Sequence, residues 1–287
     1  MLKQYWDFDM MYAQPCALVL GGFDGLHLGH RALLKAATQN GLPVVLTSIL
    51  GGKGGVLFTE EERTHIFEQA GVDCVVYIPF TQELKNMPAD DFLDELFTYI
   101  EVAEIYCGCD FRFGKDRLGT PEFLDEQSLS RPVHILPLLE KHGEKVAVSK
   151  IKNSLFAGTM SEVSALLGSD YFVQGVVEHG REVGRTYGFP TLNVSVPSEK
   201  LLPKEGVYGG YAETPAGTYK TIINIGARPT FGVEEKKIEA YLDGFSGDLY
   251  GATVRIYPTQ FYREIEKFSS ADELKEQLKK DIKRLRL

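Results

Sequence analysis

The stretch that most limits the fold is residues 22–30, Gly-Phe-Asp-Gly-Leu-His-Leu-Gly-His. An apolar run at 17–20 precedes it and reads as a buried strand. Residues 31–37 follow and read as a helix that Gly41 can end. The stretch is therefore a strand-to-helix turn, in which glycines let the backbone bend and approach a ligand. A helix start gathers unpaired N–H groups and partial positive charge, which suits phosphate. His27 and His30 stand about one helical turn apart and share a face. Two imidazoles so placed can hold phosphate oxygens and steady a leaving pyrophosphate. A single histidine there would read as a surface residue of a tight turn; two histidines with Gly22, Gly25, Gly29 and Asp24 favour an anion site.

Strand and helix signals alternate over residues 1–168. Strands are expected at 44–47, 74–78 and 104–107. Thr59 with Glu62 forms a capping box, and Gly71 closes that helix. Pro88 suits a first helical position, with Phe92, Leu93, Leu96 and Phe97 on the apolar face. A short helix is expected around 161–167. This alternation predicts a doubly wound parallel α/β sheet, which binds ligands beyond the carboxyl ends of its strands. After Gly168 short strands take over, at 171–177, 206–211, 220–225, 237–242 and 253–258. They predict an antiparallel β-barrel or sandwich over residues 169–287. One terminal helix follows, opened by a Ser270/Glu273 capping box, with Leu274, Leu278, Ile282 and Leu285 facing inward. The basic residues at its end complement the helix dipole.

A length of 287 residues suits two domains of ordinary size. The net charge of −9 argues against a nucleic-acid footprint. No apolar run reaches the roughly 18 residues of a membrane span. The first residues lack a signal-peptide core, so a cytoplasmic protein is expected. Cys107 and Cys109 lack a second pair for zinc; Cys16, Cys74 and Cys107 read as small core residues. Oligomeric state is not legible.

Two more stretches carry chemistry. Residues 110–119 begin Asp-Phe-Arg-Phe-Gly, where aromatics can cover a flat ring and Arg112, Lys115 and Arg117 can hold phosphate. Residues 180–193 place glycines around Arg185 and end in Thr191 and Asn193, whose oxygens are hard ligands suited to Mg²⁺. Alternation puts Glu239 on the strand face opposite Ile238 and Ala240. Taken alone, these read as a charged loop, a Gly/Pro hairpin and a solvated strand glutamate.

Together they resemble the prokaryotic riboflavin kinase/FAD synthetase family. The turn is similar to that family's G-x-F-D-G-x-H-x-G-H pattern, itself a form of the nucleotidyltransferase H-x-G-H motif. Residues 110–114 resemble the family's D-F-R-F-G segment, and 184–193 resemble its kinase signature, G-R-x-x-G-F-P-T-x-N. Residues 206–211, 224–232, 238–242, 247–251 and 267–270 follow in the family's order.

The resemblance implies a nucleotidyltransferase-like domain at 1–168 and a riboflavin kinase domain at 169–287. It implies two reactions, riboflavin and ATP to FMN, then FMN and ATP to FAD. Catalytic roles are implied for Glu239 as general base, Arg185, His27 and His30. ATP or phosphate contacts are implied for Gly22, Phe23, Asp24, Gly25, Gly29, Ser149, Lys152, Gly184, Thr186 and Gly188. Flavin contacts are implied for Asp110, Phe111, Arg112, Phe113 and Gly114, and Mg²⁺ ligation for Thr191 and Asn193. The family's I-S-S-T-x-x-R motif is altered here to Val146-Ala147-Val148-Ser149-Lys150-Ile151-Lys152. Residues 48–55 replace its Phe-x-Pro-His-Pro segment with glycines around Lys53. FAD formation is therefore expected to be the slower reaction. The alternative is a kinase alone, with a first domain that only binds flavin or docks.

Overall fold

The computed structural model describes residues 1–6, 11–51, 54–128, 131–141, 143–179, 189–230 and 233–287, with backbone only at 4, 227–230, 233–236 and 271. The chain forms two compact units, Met1–Val148 and Ser149–Leu287.

The first unit is built on a six-stranded sheet. In chain order its strands are β1 (Leu2–Tyr5), β2 (Tyr12–Val19), β3 (Val44–Leu50), β4 (Cys74–Pro79), β5 (Ile100–Gly108) and β6 (Val133–Leu136); in space they run β1-β4-β3-β2-β5-β6. Every pairing is parallel. The helices α1 (Leu28–Ala37), α2 (Glu60–Gln69), α3 (Gln82–Asn86), α4 (Ala89–Tyr99) and α5 (Pro121–Gln127) connect the strands. Alternation divides each strand between two cores. Ala17 and Val19 pack with Leu33, Leu34 and Phe67, whereas Cys16 and Leu18 pack with Phe92, Leu93 and Leu96. The expected capping box of α2 is complete, with Thr59 and Glu62 satisfying each other's backbone N–H.

The chain moves outward from β2 through β3 to β4, then crosses back to place β5 on the other side of β2. The strand order reverses between β2 and β5, where open α/β sheets bind ligands. The turn at 22–30 follows β2 and the segment at 110–114 follows β5, so topology alone brings them together. A small hairpin, β7 (Glu140–Lys141) with β8 (Glu144–Lys145), completes this unit.

The second unit opens with α6 (Val148–Ala157) and α7 (Met160–Leu167). The texture change at Gly168 therefore marks the end of the helices. The compact unit starts earlier, because these helices bond to the residues after them: Lys204 N–H donates to the Leu155 carbonyl and Ser164 to Asp170. A closed barrel follows, made of β9 (Val173–Glu178), β10 (Thr191–Ser195), β11 (Gly206–Thr214), β12 (Gly217–Thr230), β13 (Val233–Leu242) and β14 (Thr253–Arg263), in the order β10-β13-β12-β11-β14-β9. Its pairings are antiparallel, and the β10–β9 pair closes it.

The terminal helix α8 (Ala271–Arg286) lies on the barrel wall, with Ile282 and Leu285 packed on Val207 and Ile222. Ser270 caps it as expected, but the Glu273 carboxylate accepts from Ser269 N–H and Oγ, so the reciprocal half of the box falls on the neighbouring serine. The basic end does more than meet the dipole: Arg286 pairs with Asp243 at 2.7 Å and the Arg284 guanidinium lies 4.1 Å from the Tyr262 ring.

Candidate active sites

At the carboxyl end of β2 the backbone bends sharply. Phe23 has φ +39 and buries its ring 4.2 Å from that of His30, a left-handed conformation uncommon for a bulky residue. Gly25, at φ +119, leaves room for Phe58, which a Cβ there would meet at 2.5 Å. His27 then caps α1: its Nδ1 accepts from the His30 backbone N–H at 3.2 Å. His30 Nδ1 is 2.9 Å from the Gly25 carbonyl, which can only accept, so that nitrogen carries the proton. The two rings stack at 3.6 Å. These bonds fix both tautomers. Neutral His27 presents Nε2–H as a donor, and neutral His30 presents a bare Nε2. Burial pushes His27 down to about 4; burial and then its neighbour push His30 well below the ordinary histidine range.

Both histidines line a cavity of about 980 Å³ at the strand-order reversal. Gly22 and Gly29 line it too, as do all of Asp110, Phe111, Arg112, Phe113 and Gly114. Phe111 and Phe113 stack at 5.3 Å. Gly114 is required, since it adopts φ +69 and a Cβ would lie 2.7 Å from the Ala89 backbone. Arg112 Nη1 turns back to the carbonyls of Cys109 and Phe111. Ala147 and Val148 also form part of the wall. Ser149 and Lys152 belong to the second unit, on α6.

Asp24 lies elsewhere. Its carboxylate accepts from Arg63 Nη2 at 2.8 Å and from the Leu57 N–H at 3.0 Å. Arg63 is buried and donates further to Phe58 O, Ile49 O and Ser48 Oγ. Asp24 thus ties the turn to β3 and α2, a role the motif alone does not reveal, and Phe23 and Gly25 are buried in the same support. No local signal marks Arg63, whose partners are remote in sequence.

In the second unit, Ile238 and Ala240 are fully buried inside the barrel while Glu239 lies on its outer face. The register sets Asn193 opposite Glu239 on one side and Asn224 on the other. In the adjacent row, Thr191 and Ile222 flank Tyr241. The Asn224 Oδ1 is buried and has no hydrogen-bond partner among the described residues. Beyond Tyr241 an open cavity of about 430 Å³ lies between Phe189 and Tyr241 and the Ile282, Lys283 and Arg286 side of α8. Sequence does not single out Phe189, Tyr241 or Asn224; strand position and register join Tyr241 and Asn224 to Glu239, and Phe189 meets the Tyr241 ring at 5.8 Å. Gly184, Arg185, Thr186 and Gly188, like Lys53, lie outside the described residues. Among the described residues no three His, Cys, Asp or Glu side chains form a metal-binding group, and no helix is long and apolar enough to cross a membrane.

Comparison with known proteins finds a family match in each of the two units. The family profile described as FAD synthetase matches residues 9–150, and that described as riboflavin kinase matches residues 167–287. The bifunctional riboflavin kinase/FMN adenylyltransferase of Bacillus subtilis is 30% identical, over 92% of this chain and 89% of its own. The protein of the same name from Escherichia coli is 30% identical over 93% and 91%. A crystal structure of a Streptococcus pneumoniae chain named as a macrolide-efflux protein superposes with a TM-score of 0.90 at 28% identity, covering 100% of this chain and 99% of that one. With both family profiles matched in order and relatives aligned along nearly its whole length, this chain belongs to the bifunctional riboflavin kinase/FMN adenylyltransferase family.

Proposed function

We propose that the barrel phosphorylates riboflavin and that the α/β unit adenylylates the FMN so formed. In the first reaction the ribityl 5′-hydroxyl oxygen attacks the γ-phosphorus of ATP. The bond from that phosphorus to ADP breaks, and Glu239 takes the hydroxyl proton. Tyr241, two positions along the strand from Glu239, and Phe189 beside its ring receive the flavin ring. The hard oxygens of Thr191 and Asn193, beside the Glu239 carboxylate, suit Mg²⁺, and the orphaned Oδ1 of Asn224 is an acceptor awaiting a partner such as a metal-bound water. When bound, the ion neutralises phosphate charge. Arg185 is assigned to the same phosphates from the motif.

In the second reaction an FMN phosphate oxygen attacks the α-phosphorus of a second ATP, and the bond to the β-phosphate bridging oxygen breaks. Pyrophosphate leaves. No protein nucleophile is needed; positioning and charge suffice. His27 donates Nε2–H to a phosphate oxygen. His30 meets the phosphate through Nε2 and donates once protonated. Phe111 and Phe113 flank the flavin's approach. Binding of ATP and the flavins follows from these reactions, and a cytoplasmic location suits a supply of ATP.

The observation that carries this reading is that each unit keeps its own built site, the paired histidines at the strand reversal and the Asn193–Glu239–Asn224 row on the barrel. The test is incubation of the pure protein with riboflavin, ATP and Mg²⁺, followed by chromatography. FMN should appear first and FAD more slowly. FMN without FAD would leave the kinase alone standing.

A further inference from the structure

A nucleotide entering the α/β cavity brings a polyanion to a turn with little charge. Both imidazoles are neutral, and the start of α1 supplies roughly half a unit charge. Ala147 and Val148 line the wall without a side-chain donor. Among the described residues, the cationic side chains lining the cavity are Lys85, Arg112, Arg117 and Lys145. Arg112 is engaged with two carbonyls, and Arg117 sits in a left-handed turn beyond the aromatic segment.

Lys145 is differently placed. It ends the β7–β8 hairpin, one residue before the apolar wall, and its Nζ bonds to the Asp110 carboxylate. Both charges reach His27: Asp110 favours its protonation and Lys145 opposes it. Lysine, aspartate and histidine thus converge at one end of the cavity. The ion pair is nearly half exposed, with side-chain exposures of 44% and 49%. A pair so exposed is weak, and a phosphate competes well for the lysine.

We propose that Lys145 is a phosphate-binding residue of the adenylyltransferase site. On nucleotide entry its ammonium leaves Asp110 for a phosphate oxygen beside His27, supplying the charge that the adjoining Ala147 and Val148 cannot. This rests on the adenylylation reading above. A point charge on a flexible stem suits the task, because the oxygen's charge moves as pyrophosphate departs.

The full-length protein provides the test. Lys145→Met should lower kcat/KM for FAD formation by about 10²-fold, the usual cost of losing one transition-state donor. It should also weaken inorganic pyrophosphate binding, measured by calorimetry without turnover, by about tenfold or more. FMN formation from riboflavin should stay at the wild-type rate, which also reports folding. Lys145→Arg should retain most activity. Ala147→Ser with Val148→Ser, added to Lys145→Met, should restore part of the loss by returning donors to the wall. If Lys145 served only to hold Asp110, Lys145→Met would raise KM for FMN and leave pyrophosphate affinity intact, and the proposal would fall. Wild-type pyrophosphate affinity in Lys145→Met would also overturn it. A wild-type protein that neither makes FAD nor binds pyrophosphate would instead remove the adenylylation reading itself.

Discussion

Glu239 and Asn193 stand opposite one another across the β10–β13 ladder, and Asn224 faces Glu239 from the other side. A carboxylate between two amide side chains on the barrel wall can accept a proton beside a held phosphate. Glu239→Gln preserves shape and removes the base. FMN formation should fall by about 10²- to 10⁴-fold while the circular dichroism spectrum is unchanged. Near-normal turnover in that variant would take the role of base away from Glu239.

Asn224 gives a second, separable prediction. Its buried Oδ1 has no hydrogen-bond partner among the described residues. Asn224→Leu should raise the Mg²⁺ concentration needed for half-maximal kinase rate, while the circular dichroism spectrum stays that of the folded barrel. Asn224→Asp should shift that requirement the other way. Unchanged metal dependence in both would show that the oxygen faces neither ion nor water of the site.

Arg63 gives the third. The buried guanidinium joins Asp24 to the ends of β3 and α2. Arg63→Met takes the guanidinium away from the partly buried Asp24 carboxylate and should destabilise the first unit by up to about 3–5 kcal/mol. FAD formation should drop as the histidine turn loosens, and kinase activity should persist. Unchanged protection of the turn amides in hydrogen exchange would contradict this.

What could be read from sequence was local or periodic. The turn at 22–30, the α2 capping box and the alternation around Glu239 each follow from neighbouring residues. The edge strands β1 and β6 escaped notice because each is only 4 residues long and lacks a continuous apolar run. β10 was hidden because Thr191 and Asn193 read as ligands rather than as a strand. Arg63 and Asn224 depend on partners set by tertiary contact and by strand register. Helical periodicity ends at Gly168, but which unit the last helices join depends on their bonds, and that information is not periodic.

The histidine pair makes the first unit's stability depend on pH. His27 is held down to about 4 from an ordinary 6.5, and His30 is lowered further. Between those values the unfolded chain binds protons that the folded chain refuses, so stability rises with pH. The contribution is complete above about pH 6.5 and is lost as pH falls toward 4. The urea midpoint should therefore drop between pH 7 and 5, and less so in His27→Gln/His30→Gln. Phosphate binding reverses the preference, since the anion favours imidazolium. Pyrophosphate binding near pH 7 should take up protons, seen as a binding enthalpy that varies with the buffer's ionisation enthalpy. Buffer-independent heats would mean that both rings stay neutral against the ligand.

The two activities should separate with the two units, and where the chain is cut should matter. Met160, Val163, Leu166 and Leu167 are buried, and α7 packs against β14. Lys204 N–H also depends on the Leu155 carbonyl of α6. The fragment Ser149–Leu287 keeps these contacts and should phosphorylate riboflavin at close to the full-length rate. The fragment 169–287 begins at the change of texture and close to the start of the kinase profile at residue 167. It keeps the whole Asn193–Glu239–Asn224 row and should also be active, but it bares apolar surface on β14 and should melt several degrees lower. Each buried apolar side chain lost is worth roughly 1.5–3 kcal/mol, so the difference should be large enough to measure. If both fragments fold by circular dichroism yet neither forms FMN, the kinase site is not self-contained. If 169–287 melts where Ser149–Leu287 does, α6 and α7 are not part of the barrel's cooperative unit.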